Sequence, residues 1–264
     1  MALTNPAYLF APVLGLLVGG LIAATGVGGG TMLLPLLVAG LRIHPIVAVG
    51  SDVIFQFFTK LWASTFNWKR ENLDRQLTLA LLMGSVPGAL IGIGLLKALR
   101  HLYGGHGVNQ FLRVAVGVLL VVIPIFTLVL DRIKARIPAP YTPKLSTAQD
   151  SRSKASMIGL LGGFLVGLTS IGSGSVIILL LFLYYRRPAG VMVGTDIFHA
   201  MILSAMLGLI HLQMGTVDLR LVGLLLAGAV VGVPLGSKLA TLIPSLWLRR
   251  AVLLILIPIG IKLL

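Results

Sequence analysis

The chain has no cysteine, and among its 264 residues only 11% are charged. Without cysteine it builds no disulfide, no thiolate metal site and no iron–sulfur cluster. Acidic residues are the scarcest charged class, seven Asp and Glu against 21 Lys and Arg. Familiar catalytic signatures are also missing. There is no H-E-x-x-H pair for zinc, no G-x-S-x-G nucleophile elbow and no G-x-x-x-x-G-K-[ST] phosphate loop. The glycines of 26–30 follow no soluble strand and so do not make a dinucleotide fingerprint. We therefore read the chain as neither an enzyme nor a metal or cofactor protein.

What is present is apolar. Hydrophobic residues make up 57% of the chain and the mean hydropathy is +1.04. A soluble domain carries about 25% charged residues and could not bury this much apolar surface. Runs of bilayer length recur, as at Leu9–Ala24, Leu77–Leu96, Val114–Leu130 and Leu221–Leu242, so the lipid bilayer is the expected surroundings. The formal charge of +14 sits in short loops between these runs. That is the pattern of membrane topology and not of a nucleic-acid surface. The first ten residues lack a basic n-region, so the first apolar run reads as structure and not as a cleaved signal.

The sequence repeats itself. An offset of 144 lays Thr25–Thr31 over Thr169–Ser175, Val49–Asp52 over Val193–Asp196, Asp74 over Asp218, and Gly84, Gly88 and Gly92 over Gly228, Gly232 and Gly236. Later the offset becomes 136, with Leu112-Arg113 over Leu248-Arg249, so the first copy has eight extra residues in or near 101–110. The expected fold is an all-α polytopic membrane protein with two tandem repeats of about five helical segments each. The boundaries are 8–130 for the first repeat, 131–154 for a basic, irregular cytoplasmic linker and 155–264 for the second repeat. The first two segments of each repeat form a hairpin broken by glycine.

Basic-residue parity decides how the copies face each other. If residues 8–41 cross the membrane once, the copies are parallel and the basic residues outside spans divide 11 to 9. If they fold back, the copies are inverted and the division is 14 to 6, as the preference of Lys and Arg for the cytoplasmic side requires. A straight helix over 8–41 would also be about 51 Å long against a core of about 30 Å. The inverted arrangement puts both termini outside a multi-pass protein of the cytoplasmic membrane.

Three features carry candidate chemistry. The glycine clusters break helices inside the membrane, which is tolerated where protein or a water-filled cavity satisfies the backbone. Broken helices in duplicated transporters frame a substrate site near the midplane. The candidate binding residues are Thr25, Gly28, Gly29, Gly30 and Thr31 in one copy and Thr169, Gly172, Ser173, Gly174 and Ser175 in the other. The alternative is that the glycines only permit close packing. Asp52 and Asp196 lie two turns into apolar helices, where a carboxylate is costly and a functional candidate. Asp52, Gln56 and Lys60 form one helical stripe; Asp196, His199 and Ser204 occupy a similar face. Asp52, Asp196, Gln56 and His199 are thus candidates for coupling to a proton or sodium ion, the alternative being that each Asp only satisfies nearby backbone. The third feature is the pair of glycine ladders, which suit internal helix packing or a homodimer interface.

The stretch Gly26-Val-Gly-Gly-Gly-Thr-Met-Leu-Leu-Pro35, followed by His44-Pro-Ile-Val-Ala-Val-Gly-Ser-Asp52, resembles the TauE/SafE family of sulfite exporters, also called the toluene sulfonate uptake permeases. The second copy matches more loosely through Gly172-Ser-Gly-Ser175 and Gly190–Asp196. The resemblance implies a secondary transporter whose partner is a small anionic substrate, sulfite, a sulfonate or a related sulfur oxyanion. Serines 170, 173 and 175 stand where the first copy has Gly26, Gly29 and Thr31, so the two half-sites differ. A passive anion channel and a non-transporting scaffold are the competing functions.

Overall fold

The computed structural model describes residues 6–25, 28–69, 72–136, 148–185, 187–242, 254 and 256–264. Among them it is all helical, with no strand. Helix α1 is Pro6–Thr25 and α2 is Gly29–Pro35, continued by a π-helical turn at Leu36–Gly40. Then come α3 Pro45–Lys69, α4 Arg75–Arg136, α5 Ala148–Thr169, α6 Val176–Tyr184, α7 Ala189–Gln213 and α8 Leu219–Leu242. Residues 256–263 are helical again. Among the described residues, five helices are long and apolar enough to cross a bilayer. Their outer faces carry exposed Leu9, Leu17, Met83, Ile91, Leu209 and Val231. No aqueous surface would hold such a belt, whereas lipid tails cover it without cost.

Two details differ from the sequence expectation. The region 101–110 forms no extended loop. Two helical stretches of α4 meet there across a break at Gly104, whose φ of 65° and ψ of −174° are open to glycine at little cost. Helix also extends into the range expected to be an irregular linker, through Arg136 on one side and from Ala148 on the other. The linker prolines at 138, 140 and 143 lie outside the described residues.

The same local chemistry starts equivalent helices. Asp74 caps α4 by accepting the Leu77 N–H at 3.0 Å, and Asp218 caps α8 by accepting the Leu221 N–H at 3.0 Å. Each Asp also donates its own N–H across to the other copy. The Asp74 N–H reaches Thr195 Oγ1 on α7 at 3.0 Å, and the Asp218 N–H reaches Ser51 Oγ on α3 at 2.9 Å. Thr195 and Ser51 are themselves 144 apart. One clasp is reinforced by the Arg187–Asp74 ion pair at 3.4 Å, the other by Tyr8 donating to Asp218 Oδ2 at 2.7 Å.

The glycine ladders make the long seams. Gly84, Gly88 and Gly92 on α4 lie against Ser156, Leu160 and Phe164 of α5. Gly228, Gly232 and Gly236 on α8 lie against Pro12, Leu16 and Gly20 of α1. Both pairs run parallel, and the contacts exchange under the same offset. Helices α3 and α7 run antiparallel instead: Gly208 sits against Ile54, while Ser64 Oγ meets Met201 Sδ at 3.6 Å. The ladders are therefore spent on internal packing. A side chain at Gly88 would overlap the Leu160 carbonyl oxygen, whereas Gly94 on the same helix has open space beside it. Gly88→Val is expected to eliminate the monodisperse peak of a fluorescent fusion on size exclusion, and Gly94→Val to retain it.

Candidate functional site

The two helix breaks meet in the middle of the molecule. Gly28 and Gly30 face the backbone of Ser173 and Ser170, so closely that a Cβ at either would overlap a carbonyl oxygen of the second break. Gly28 has φ −64°, so close approach, and not backbone freedom, demands glycine there. Gly29 abuts α3, where a Cβ would stand 2.7 Å from Gln56 Cγ and 3.1 Å from Asp52 Oδ1. In the second break, Ser170 and Gly174 have φ of 62° and 70°. A left-handed serine is uncommon and costs energy. Its hydroxyl donates to Asp52 Oδ2 at 2.7 Å and accepts from Gln56 Nε2 at 2.8 Å. The strain therefore sits where the hydroxyl is used.

A stripe on α3 serves both breaks. Gln56 Nε2 donates to Asp52 Oδ2 at 2.7 Å, one helical turn away. Lys60 Nζ, one turn further on, donates to Ser173 Oγ at 2.9 Å. Asp52, Lys60 and Asp196 are all fully buried. Asp196, on α7, lies within electrostatic reach of Lys60 and faces the Gly174 N–H, yet neither of its oxygens completes a hydrogen bond. Asp52 Oδ1, Ser175 Oγ and His199 Nδ1 likewise have no partner. Buried polar atoms are almost always paired, so this concentration of unpaired ones marks a place built to receive something.

The other residues singled out from sequence divide into two groups. Thr31, Thr25 and Thr169 turn their hydroxyls to their own chain, donating to the carbonyls of Gly28, Leu21 and Leu165 at 2.7, 2.7 and 2.8 Å. At the start of α6 the N–H groups of Val176 and Ile177 both donate to Gly172 O at 3.0 Å, so these two are not available to a ligand. Gly172 thus closes the turn and Gly174 points toward Asp196. His199 bonds through Nε2 to Ser85 Oγ on α4 at 2.7 Å, which ties the two copies together beside the stripe. The α3 carboxamide, the buried ammonium and serines 170, 173 and 175 are what the fold gathers at the breaks.

Sequence reasoning placed Lys60 in the stripe without assigning it a role, and noted Ser170 only as a departure between copies. Ser85 was missed. The signal for Lys60 was there: it stands four residues past Gln56 on a helix whose partner copy has Ser204 and Ala200 at those positions. No pattern in the sequence announces Ser85.

A family model described as sulfite exporter TauE/SafE matches residues 11–263. The chain is 37% identical over 233 residues to the probable membrane transporter protein YjnA of Bacillus subtilis (strain 168), an alignment spanning 86% of this chain and 88% of that protein. It is 29% identical over 270 residues to the probable membrane transporter protein YunE of the same organism, covering 95% of each. No solved structure matches the chain.

Proposed function

The chain belongs to the TauE/SafE sulfite exporter family of membrane transporters, and on that premise we propose that it is a secondary transporter of a small sulfur-containing oxyanion. The cargo is sulfite, a sulfonate or a related organosulfur anion. It crosses the cytoplasmic membrane by alternating access, with the two repeats inverted and both termini outside. The antiparallel α3 and α7, together with the seams that exchange under one offset, support the inverted reading. The single observation that carries the function is the meeting of both breaks around a buried ammonium with unpaired hydroxyl and carboxylate atoms beside it.

The chemistry follows from charge. Lys60 has three donors and spends one on Ser173. Its remaining donors and the Ser175 hydroxyl suit a small oxyanion, which needs no large pocket. Two ionised carboxylates nearby would oppose an anion in a medium that screens poorly. Protonation of Asp196, whose oxygens are already unpaired, leaves one carboxylate, Asp52, balanced by Lys60, so the cluster becomes neutral and the anion travels with a proton. Complete burial of the cluster corresponds to a closed stage of the cycle, in which neither aqueous side reaches the cargo.

A thermal-shift screen of sulfite, thiosulfate, sulfonates, sulfate and small carboxylates on purified protein tests the reading, because a ligand that binds the folded state stabilises it according to its affinity. A sulfur oxyanion is expected to give the largest shift. Replacing Ser173 and Ser175 together by alanine should weaken its binding about 10-fold or more, through the lost Ser175 hydrogen bond to the anion and the lost Ser173 anchor of the Lys60 ammonium. Unchanged affinity would remove the breaks from the binding site.

A further inference from the structure

The cluster at the breaks raises a question that anion binding does not answer: what offsets two buried carboxylates when no cargo is present. Asp52 and Asp196 lie within electrostatic reach of one shared cation, Lys60, and no other Lys or Arg is buried among the described residues. Three of the four carboxylate oxygens have no hydrogen-bond partner. Oxygen-rich, partly unsatisfied carboxylates inside a membrane are what a transporter offers to a monovalent cation. Here the ammonium closes an ion pair with neither carboxylate. It is held off them by its bond to Ser173 at the second break.

The second copy sharpens the point. At the position equivalent to Lys60 it has Ser204, and at that of Gln56 it has Ala200. The duplication therefore supplies two carboxylates but a single buried cation, placed on α3 within electrostatic reach of both. A transporter that used sodium would leave such a position neutral and let the ion occupy it. We infer that the Lys60 ammonium is a built-in counter-cation that takes the place of a sodium ion between Asp52 and Asp196, and that its removal creates a binding site for a free monovalent cation. It follows that the protein is indifferent to sodium. Because the ammonium is tethered and cannot leave, protons are the ions that remain for coupling.

This inference rests on the transporter reading for its role in coupling, but its test reads cation binding without transport. Purified wild-type protein is expected to show the same melting temperature in sodium, potassium and choline chloride. Lys60→Ala should melt lower, and sodium, methylammonium or propylammonium chloride should raise its melting temperature over choline by about 3 °C or more. Lys60→Met fills the vacated space without charge and should show no recovery with the amines. If Lys60→Ala is too unstable to purify, the double variant Lys60→Ala/Asp196→Asn removes the uncompensated carboxylate as well and should regain folded yield. A sodium-dependent shift in the wild type would overturn the inference. So would a folded Lys60→Ala protein blind to every cation, or a double variant no better folded than the single one. A cation-blind Lys60→Ala protein beside a wild type that binds sulfite would sink this inference and leave the transport reading standing. Absence of sulfite binding by the wild type, with cation recovery in Lys60→Ala intact, would do the reverse.

Discussion

Alanine at Gly30 will abolish uptake and most of the folded protein. The added Cβ would coincide with the Ser170 carbonyl oxygen, which belongs to a residue already held at φ 62° and bonded through its side chain to Asp52 and Gln56. A flexible side chain could step aside, but this backbone cannot move without breaking those bonds. Over-packing in a core costs about 1–3 kcal/mol when side chains can adjust, and a clash against pinned backbone lies at or above the top of that range. Gly94→Ala provides the comparison, since nothing stands within 4 Å of a Cβ there. Thermal melts and fluorescence size exclusion of the two variants check the expectation. Wild-type stability and uptake in Gly30→Ala would mean that the two breaks do not touch.

The second large effect separates two carboxylates that look equivalent in sequence. Asp52 Oδ2 accepts from Gln56 and Ser170. Asp52→Ala strips both donors of their acceptor inside the membrane. Hydrogen bonds to a charged group contribute about 1.5–3 kcal/mol each, so the melting temperature should fall by about 10 °C. Asp196 accepts no completed bond, so Asp196→Asn should leave the melting temperature unchanged or higher. Its effect falls on coupling: an imposed proton gradient should no longer stimulate sulfite flux, although binding persists. If Asp196→Asn responds to the gradient as the wild type does, Asp196 does not carry the proton. If Asp52→Ala melts like the wild type, the bonds at the second break are not structural.

The repeat was legible because helix geometry in a membrane leaves few options. Apolar runs of bilayer length and a constant offset placed the third helix of each copy at 45–66 and 189–210, where α3 and α7 run over 45–69 and 189–213, and located the helix breaks at the glycines. The single-residue interruption at Gly104 was not legible, since a cluster of glycine and histidine at 101–107 reads equally well as a loop. Nor were the helical extensions into the linker. At the site, residue type indicated that buried polar groups matter but could not say which ones face each other. Thr25, Thr31 and Thr169 were as plausible as the serines. Their hydroxyls turn back to carbonyls three or four residues earlier, the local bond available to any hydroxyl on a helix. Ser170 escapes that fate because its left-handed backbone aims the side chain at α3. Lys60 gains its meaning only when α3 lies beside the second break, a contact 113 residues away in sequence.

Counterflow measures the central claim most directly. Proteoliposomes preloaded with unlabelled sulfite and diluted into a trace of labelled sulfite should accumulate label transiently above its equilibrium level, with saturation as sulfite rises. The Ser173→Ala/Ser175→Ala protein should lose the overshoot. A flux that neither saturates nor overshoots, and that is unchanged in the double variant, would contradict an alternating-access carrier with its site at the two breaks.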